Sequence, residues 1–240
     1  MLYIQVRSFL RRFFRVGVAV LILGVFIVLG YNSLRFSAET LALSSVDEKV
    51  QALQSKVVEF EKKEETARLA DLEFLRIISL TLNAMEISRS PLSTYQRTSM
   101  AALIAQTAVK RLPSIELRNA WIATLAIESA FSPDAKSSAG ARGVGQVTPP
   151  TASDFSLRCG FQEKLDAHDL NEPVVNLNIS ACLFNLINER VNGSVALTLV
   201  AYNAGLYSKS LKSLEALTAI NTETANYVAK HTYLLEMLNK

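Results

Sequence analysis

Hydrophobic and polar positions divide the chain into three stretches of different rhythm. Between Arg15 and Arg35 lie 19 uncharged residues, opening VGVAVLILGVFIVLGY, with no polar face before Asn32. As a helix rising about 1.5 Å per residue they cover roughly the 30 Å hydrocarbon thickness of a bilayer. A core helix of that length ordinarily shows a polar face. A cleaved signal peptide is the other rival, but the nearest small-x-small pattern, Ala42-Leu43-Ser44, lies well past the run with Arg35 between. The pattern predicts an uncleaved transmembrane anchor.

From about residue 43 the rhythm becomes heptad-like. Leu43, Val50, Val57 and Ile78 share one position, interrupted by Glu64 and Asp71, and Val46, Leu53, Phe60, Ala67 and Phe74 share the other. Two readings stay open: a coiled-coil stalk that spaces or dimerises the domain beyond it, or one amphipathic helix folded against that domain. Ser88-Arg89-Ser90-Pro91-Leu92-Ser93 then breaks the helix. Beyond it the period is helical again: a helix over 98–110, a restart at Pro113-Ser114 with Ser114 as N-cap, and a helix with Leu117, Trp121, Ile122 and Leu125 on its core stripe. Gly140, Gly143, Gly145 and Pro149-Pro150 mark a long irregular stretch, after which helices are expected over 176–190, 194–202 and 223–238. Neither a strand alternation nor an internal repeat is evident. The expected organisation is a basic N-terminus and anchor over 1–36, a helical stalk over 37–95 and an all-α domain over 96–240.

Charge changes this picture in one respect. Arg7, Arg11, Arg12, Arg15 and Arg35 precede the first acidic residue, Glu39, leaving 20 of the 25 Lys+Arg against all 22 Asp+Glu in the remainder. The arginines place the N-terminus in the cytoplasm. The part beyond the anchor lacks the basic footprint of a nucleic-acid binder. That part lies outside the inner membrane, so Cys159 and Cys182 meet an oxidising space, where a disulfide and two buried thiols are both open. Without CxxC, and with His168 and His231 isolated, no metal cluster is expected. The glycines lack the Gly-Lys-Ser/Thr of a phosphate loop. No cofactor is called for.

Chemistry concentrates at Ile127-Glu128-Ser129-Ala130-Phe131-Ser132-Pro133-Asp134-Ala135. Pro133 ends the preceding helix, so Glu128 falls in its last turn. The carbonyls there disfavour an anion and apolar neighbours would desolvate it, so a raised pKa is expected. A carboxyl kept protonated near neutrality can protonate a glycosidic oxygen. On its own, a glutamate at a helix end is ordinarily just solvated. Its neighbours give it weight.

Glu128-Ser129, Ser137, Gly140-Ala141-Arg142-Gly143-Val144-Gly145-Gln146 and Pro149-Pro150-Thr151-Ala152 resemble the signature of the soluble-lytic-transglycosylase (SLT) family. Ala201-Tyr202-Asn203-Ala204-Gly205 resembles its second signature, and Glu223-Thr224-Ala225-Asn226-Tyr227-Val228 its third. Asn171-Glu172-Pro173 with Asn176 is similar to its Asp-Pro-x-x-Asn stretch. The resemblance covers roughly 100–240. It implies a lysozyme-like helical fold and non-hydrolytic cleavage of peptidoglycan between N-acetylmuramic acid and N-acetylglucosamine, leaving a 1,6-anhydro end. It also implies Glu128 as single acid/base, with Ser137, Gln146, Tyr202, Asn203, Glu223 and Tyr227 lining or supporting the glycan groove. Asp134 receives no role. Gly145 stands where the family usually has Met, which is expected to loosen one subsite, and Ala225 where Arg is common. The implied partners are peptidoglycan strands and the inner membrane, with a homo-oligomer or envelope complex through the stalk; the implied location is a single-pass inner-membrane protein with its catalytic domain in the periplasm. Two rivals remain: a hydrolase of the same fold, and a weakly active wall-binding scaffold.

Overall fold

The computed structural model describes the backbone of residues 2–204 and 222–238 and, within these, the side chains of residues 17, 20, 21, 23–35, 48–204, 222 and 224–238. Gly205 and the side chains of Arg7, Arg11, Arg12, Arg15, Glu39, Leu43, Val46 and Glu223 therefore lie outside what is described. The described elements are all helical: α1 (Leu2–Ile87), α2 (Thr94–Arg111), α3 (Ile115–Ser129), α4 (Pro149–Phe155), a 3₁₀ turn (Asp169–Asn171), α5 (Pro173–Arg190), α6 (Val195–Ala204) and α7 (Thr222–Leu238). Two isolated antiparallel bridges, Lys136 with Arg142 and Arg142 with Val147, are the β pairing among the described residues. By backbone proximity the chain divides into Met1–Ala67 and Arg68–Lys240.

The first unit is helical throughout its described part. Its apolar positions Val50, Leu53, Val57 and Phe60 are 43–62% exposed. Among the described residues no helix is long and apolar enough to cross a membrane. Positions 16, 18, 19 and 22 of the apolar run lie outside the described side chains.

The second unit begins inside the segment that the heptads assign to the stalk. Ile77, Leu80, Ala84 and Met85 are buried and belong to the main core cluster with Ile104, Leu117, Trp121, Leu125, Leu177 and Phe184. The last twenty residues of α1 thus pack as a core helix of this unit. Glu73 reinforces the arrangement: its carboxylate bonds Arg76 (2.7 Å) and Arg118 (3.1 Å), which hold it below the usual carboxylate range. The helix stops at the serine-proline break. Arg89 takes a left-handed φ of 54° and Ser90 N–H reaches back to Met85 O (2.8 Å), closing a Schellman-type end. Ser93 and Gln96 then form a capping box on α2. Ser114 caps α3 as its sequence position predicts, accepting from Leu117 N–H at 3.2 Å.

The expected helices appear with small shifts of their ends, and α4 is an addition. Its two prolines sit in the first turn, where a missing N–H is no loss and φ is already helical. A disulfide joins Cys159, just past α4, to Cys182 on α5, with Cα atoms 5.8 Å apart. A second core cluster gathers round it, with Phe155, Leu165, Leu170, Ile179 and Leu183.

Candidate active site

The Glu128 carboxyl sits where α3 ends. Ala130 and Phe131 both take positive φ (48° and 63°), and Ala130 N–H closes the helix on Ala126 O (3.0 Å). Ser129 fastens this end to the following loop, its hydroxyl donating to Val144 O at 2.7 Å. The Glu128 side chain enters a cavity of about 620 Å³. Burial raises its pKa, and a hydrogen bond donated by the Tyr227 hydroxyl to Oε1 (2.9 Å) pulls partly the other way.

Loop 130–148 supplies one wall, and its shape depends on Asn176. That side chain is fully buried: Oδ1 accepts from Gly145 N–H (2.8 Å), and Nδ2 donates to Arg142 O (2.8 Å) and Leu170 O (2.9 Å). Gly143, at φ +69°, has to be glycine on two counts, since a Cβ there would also run into Asn176. Gln146 likewise takes a positive φ of 48°, and its Nε2 donates to Ala135 O (3.1 Å) and Gly143 O (3.0 Å). Ser137 accepts from Ala141 N–H at 3.1 Å.

Gly145 corrects an expectation. A residue lacking a side chain here leaves no loosened space, because a Cβ would meet the Cβ and Oγ of Ser180. Ser180 fills that room and accepts from Trp121 Nε1 at 3.2 Å, which also accounts for Trp121 as a core residue. Gly145 meanwhile offers its carbonyl to the Tyr202 hydroxyl (2.7 Å). Burial and the nearby Glu128 charge raise the Tyr202 pKa, so the phenol stays protonated.

Glu128, Ser137, Gln146, Tyr202 and Asn203 therefore line one cavity, with Thr148, Thr151, Asp154 and Phe155 from the α4 side and Leu183 and Ile187 from α5. Tyr227 reaches it through its bond to Glu128 and is itself buried. Asn203 accepts from Thr224 at 3.2 Å, tying α6 to α7. Glu223 lies on α7, its side chain outside the described residues. Asp134 is exposed and does not line the cavity. Sequence reasoning missed Asp154, Thr148 and Thr151 at the cavity and the pairing of Thr124 with His231 behind it. Thr124 and Glu128, like Tyr227 and His231, are one helical turn apart, but that spacing alone does not pair the two helices.

A family model described as transglycosylase SLT domain matches residues 116–218. The chain carries a transglycosylase SLT domain. The matched part of this SLT domain starts on the first turn of α3 and includes Glu128, loop 130–148, the disulfide and α6; α7, with Tyr227, lies beyond it. The fold is similar to that of the 70 kDa soluble lytic transglycosylase SLT70 from Escherichia coli, with a TM-score of 0.51 at 20% identity. The likeness covers 72% of this chain and 30% of that one, so the SLT domain and its flanking helices correspond to about a third of the larger protein. At that identity it speaks to the fold alone. No curated protein matches the chain.

Proposed function

We propose that the chain is a peptidoglycan lytic transglycosylase in which Glu128 is the acid/base. The observation that carries this reading is a desolvated carboxyl in a cavity walled by sugar-compatible groups: hydroxyls of Ser137 and Thr151, amides of Gln146 and Asn203, and the ring of Tyr202. Burial favours the protonated form of Glu128, which gives its proton to the oxygen between N-acetylmuramic acid and N-acetylglucosamine as that bond breaks. Tyr227 occupies Oε1, which directs the transferable proton to Oε2. The resulting carboxylate, stabilised by the Tyr227 hydroxyl, accepts the proton of the muramyl C6 hydroxyl as its oxygen closes on C1. That ring closure gives the 1,6-anhydro end. An attached nucleophile outruns water because its effective molarity reaches about 10⁵ M or more when well oriented. One carboxylate serves both steps, so neither Asp134 nor Asp154 is assigned a proton.

The proposal extends to location. Val20, Leu21, Leu23, Phe26, Ile27 and Leu29 are 59–71% exposed, an arrangement that favours lipid over water around this helix. We assign residues 16–34 as a single-pass inner-membrane anchor, with the SLT domain in the periplasm acting on glycan strands. The exposed Val50, Leu53, Val57 and Phe60 stripe supports a coiled-coil contact with a second copy.

Digestion of purified peptidoglycan with the full chain tests the chemistry. Anhydro-muropeptides are the expected product; reducing ends would make the enzyme a hydrolase, and no release would leave a wall-binding scaffold. Protease added to spheroplasts is expected to digest the SLT domain, and full protection would overturn the topology.

A further inference from the structure

Behind the cavity lies a buried imidazole with no part in the proton transfer described above. His231 is 0% exposed and sits one helical turn after Tyr227 on α7, its ring centroid 4.9 Å from the phenol's. On α3 the same spacing sets Thr124 one turn before Glu128. Thr124 Oγ1 is 3.3 Å from His231 Nε2 and donates to Ala120 O at 3.0 Å. With its single proton committed to that carbonyl, Thr124 accepts from His231, which fixes the imidazole proton on Nε2. His231 Nδ1 is then a buried acceptor with no partner among the described residues. A phenylalanine would fill similar space without that unmet group, so stability alone does not account for a histidine here.

We propose that His231 is a positioning residue for Glu128: its ring, pinned to Thr124, braces the Tyr227 phenol so that the hydroxyl stays on the Glu128 carboxyl. The inference rests on Glu128 being the acid/base. The chain of contacts runs Ala120 O, Thr124, His231, Tyr227, Glu128, crossing from α3 to α7 and back, so each helix orients a group on the other. Burial lowers the His231 pKa to about 4, which keeps the ring neutral while Glu128 works. The titratable groups that face Glu128 are Tyr227 from α7, Tyr202 from α6 and Asp154 across the cavity; α5 presents Leu183 and Ile187. Of these, Tyr227 alone counteracts the effect of burial on the carboxyl. Loosening the brace withdraws that donor, and the Glu128 pKa climbs.

The test follows the Glu128 carboxyl of the full chain by carbon NMR with labelled glutamate, assigned with Glu128→Gln, beside kcat/KM against pH on peptidoglycan. His231→Phe is expected to raise the Glu128 midpoint and the alkaline limb together, by about half a pH unit or more. Tyr227→Phe should do the same, and the double variant should move no further than Tyr227→Phe alone. His231→Gln, whose amide can reach Thr124, should restore the midpoint. Thr124→Val, which removes the acceptor and leaves the ring, should repeat the shift and serves if His231→Phe does not fold. A midpoint unmoved in His231→Phe and Thr124→Val, or shifts that add in full to that of Tyr227→Phe, overturns the proposal. Failure of the acid/base assignment reads differently: Glu128→Gln would keep its activity while the NMR titration still reported on the brace.

Discussion

Breaking the disulfide should weaken both the fold and the groove. Cys159 and Cys182 are 23 residues apart, and the segment between them contains only a 3₁₀ turn and the start of α5. Closing a loop of that length stabilises the fold by roughly 3 kcal/mol in the chain-entropy model. For a unit of the size of Arg68–Lys240, each kcal/mol moves Tm by about 2–4 °C, so the loss should be roughly 6–12 °C. The bond also holds the end of α4 to α5, and Pro150, Thr151, Asp154 and Phe155 of α4 form one wall of the cavity against Leu183 and Ile187 of α5. Loss of the tether should therefore raise KM more than it lowers kcat. Thermal melts followed by circular dichroism, with the native protein against Cys159→Ala/Cys182→Ala, give the first number, and turnover of peptidoglycan fragments gives the second. The double variant avoids slow reductant access, since both cysteines are buried (1% and 8% exposed). Coincident melts together with an unchanged KM would refute the reasoning.

Acid should cost stability through His231. Its folded pKa lies below its ordinary value, so the unfolded chain binds the extra proton, and about 3 kcal/mol should be lost as pH falls from about 6.5 to about 4; urea melts of His231→Phe should lack that share of the slope. Glu128 works in the opposite sense, because its raised pKa lowers stability as pH rises through it. Glu128→Gln should thus melt higher than the native protein at neutral pH, with the gain fading in acid. Gly145→Ala should cost about 1–3 kcal/mol in the same melts through overlap with Ser180.

Much of this architecture was legible because punctuation in the sequence is local chemistry. Pro91 and Ser114 act within a turn of where they stand, so the end of α1 and the start of α3 could be read directly, whereas α2 starts at Thr94, four residues before the expected 98, because Ser93 caps it. The fate of the heptad segment could not. A coiled-coil seam and the core stripe of a packed helix have nearly the same period, and only tertiary contact buries Ile77, Leu80 and Met85 while leaving Leu53 and Phe60 exposed. Pro149-Pro150 read as loop because proline stops helices, yet it begins them equally well. At the site, spacing placed Glu128 at a helix end, and its family resemblance gathered the cavity residues. The expectation for Gly145 failed because the room beside it is filled by Ser180, 35 residues away on another helix. Tyr227 and His231 meet Glu128 and Thr124 across a helix pair, a relation that no single window of sequence contains.

The most direct measurement of the central claim is muropeptide release by Glu128→Gln. The substitution keeps the shape of the side chain but removes both the proton for the glycosidic oxygen and the carboxylate that accepts one afterwards. General acid–base catalysis contributes about 10²–10⁴-fold, and a group serving both steps should reach the top of that range. The variant should still sediment with insoluble peptidoglycan, since Gln146 and Tyr202 are untouched, yet release essentially no anhydro-muropeptides by mass spectrometry. Asp134→Asn, altered at an exposed site away from the cavity, should retain most of the activity. A Glu128→Gln rate near that of the native protein, or an equally inactive Asp134→Asn, would contradict a mechanism that runs through one carboxylate.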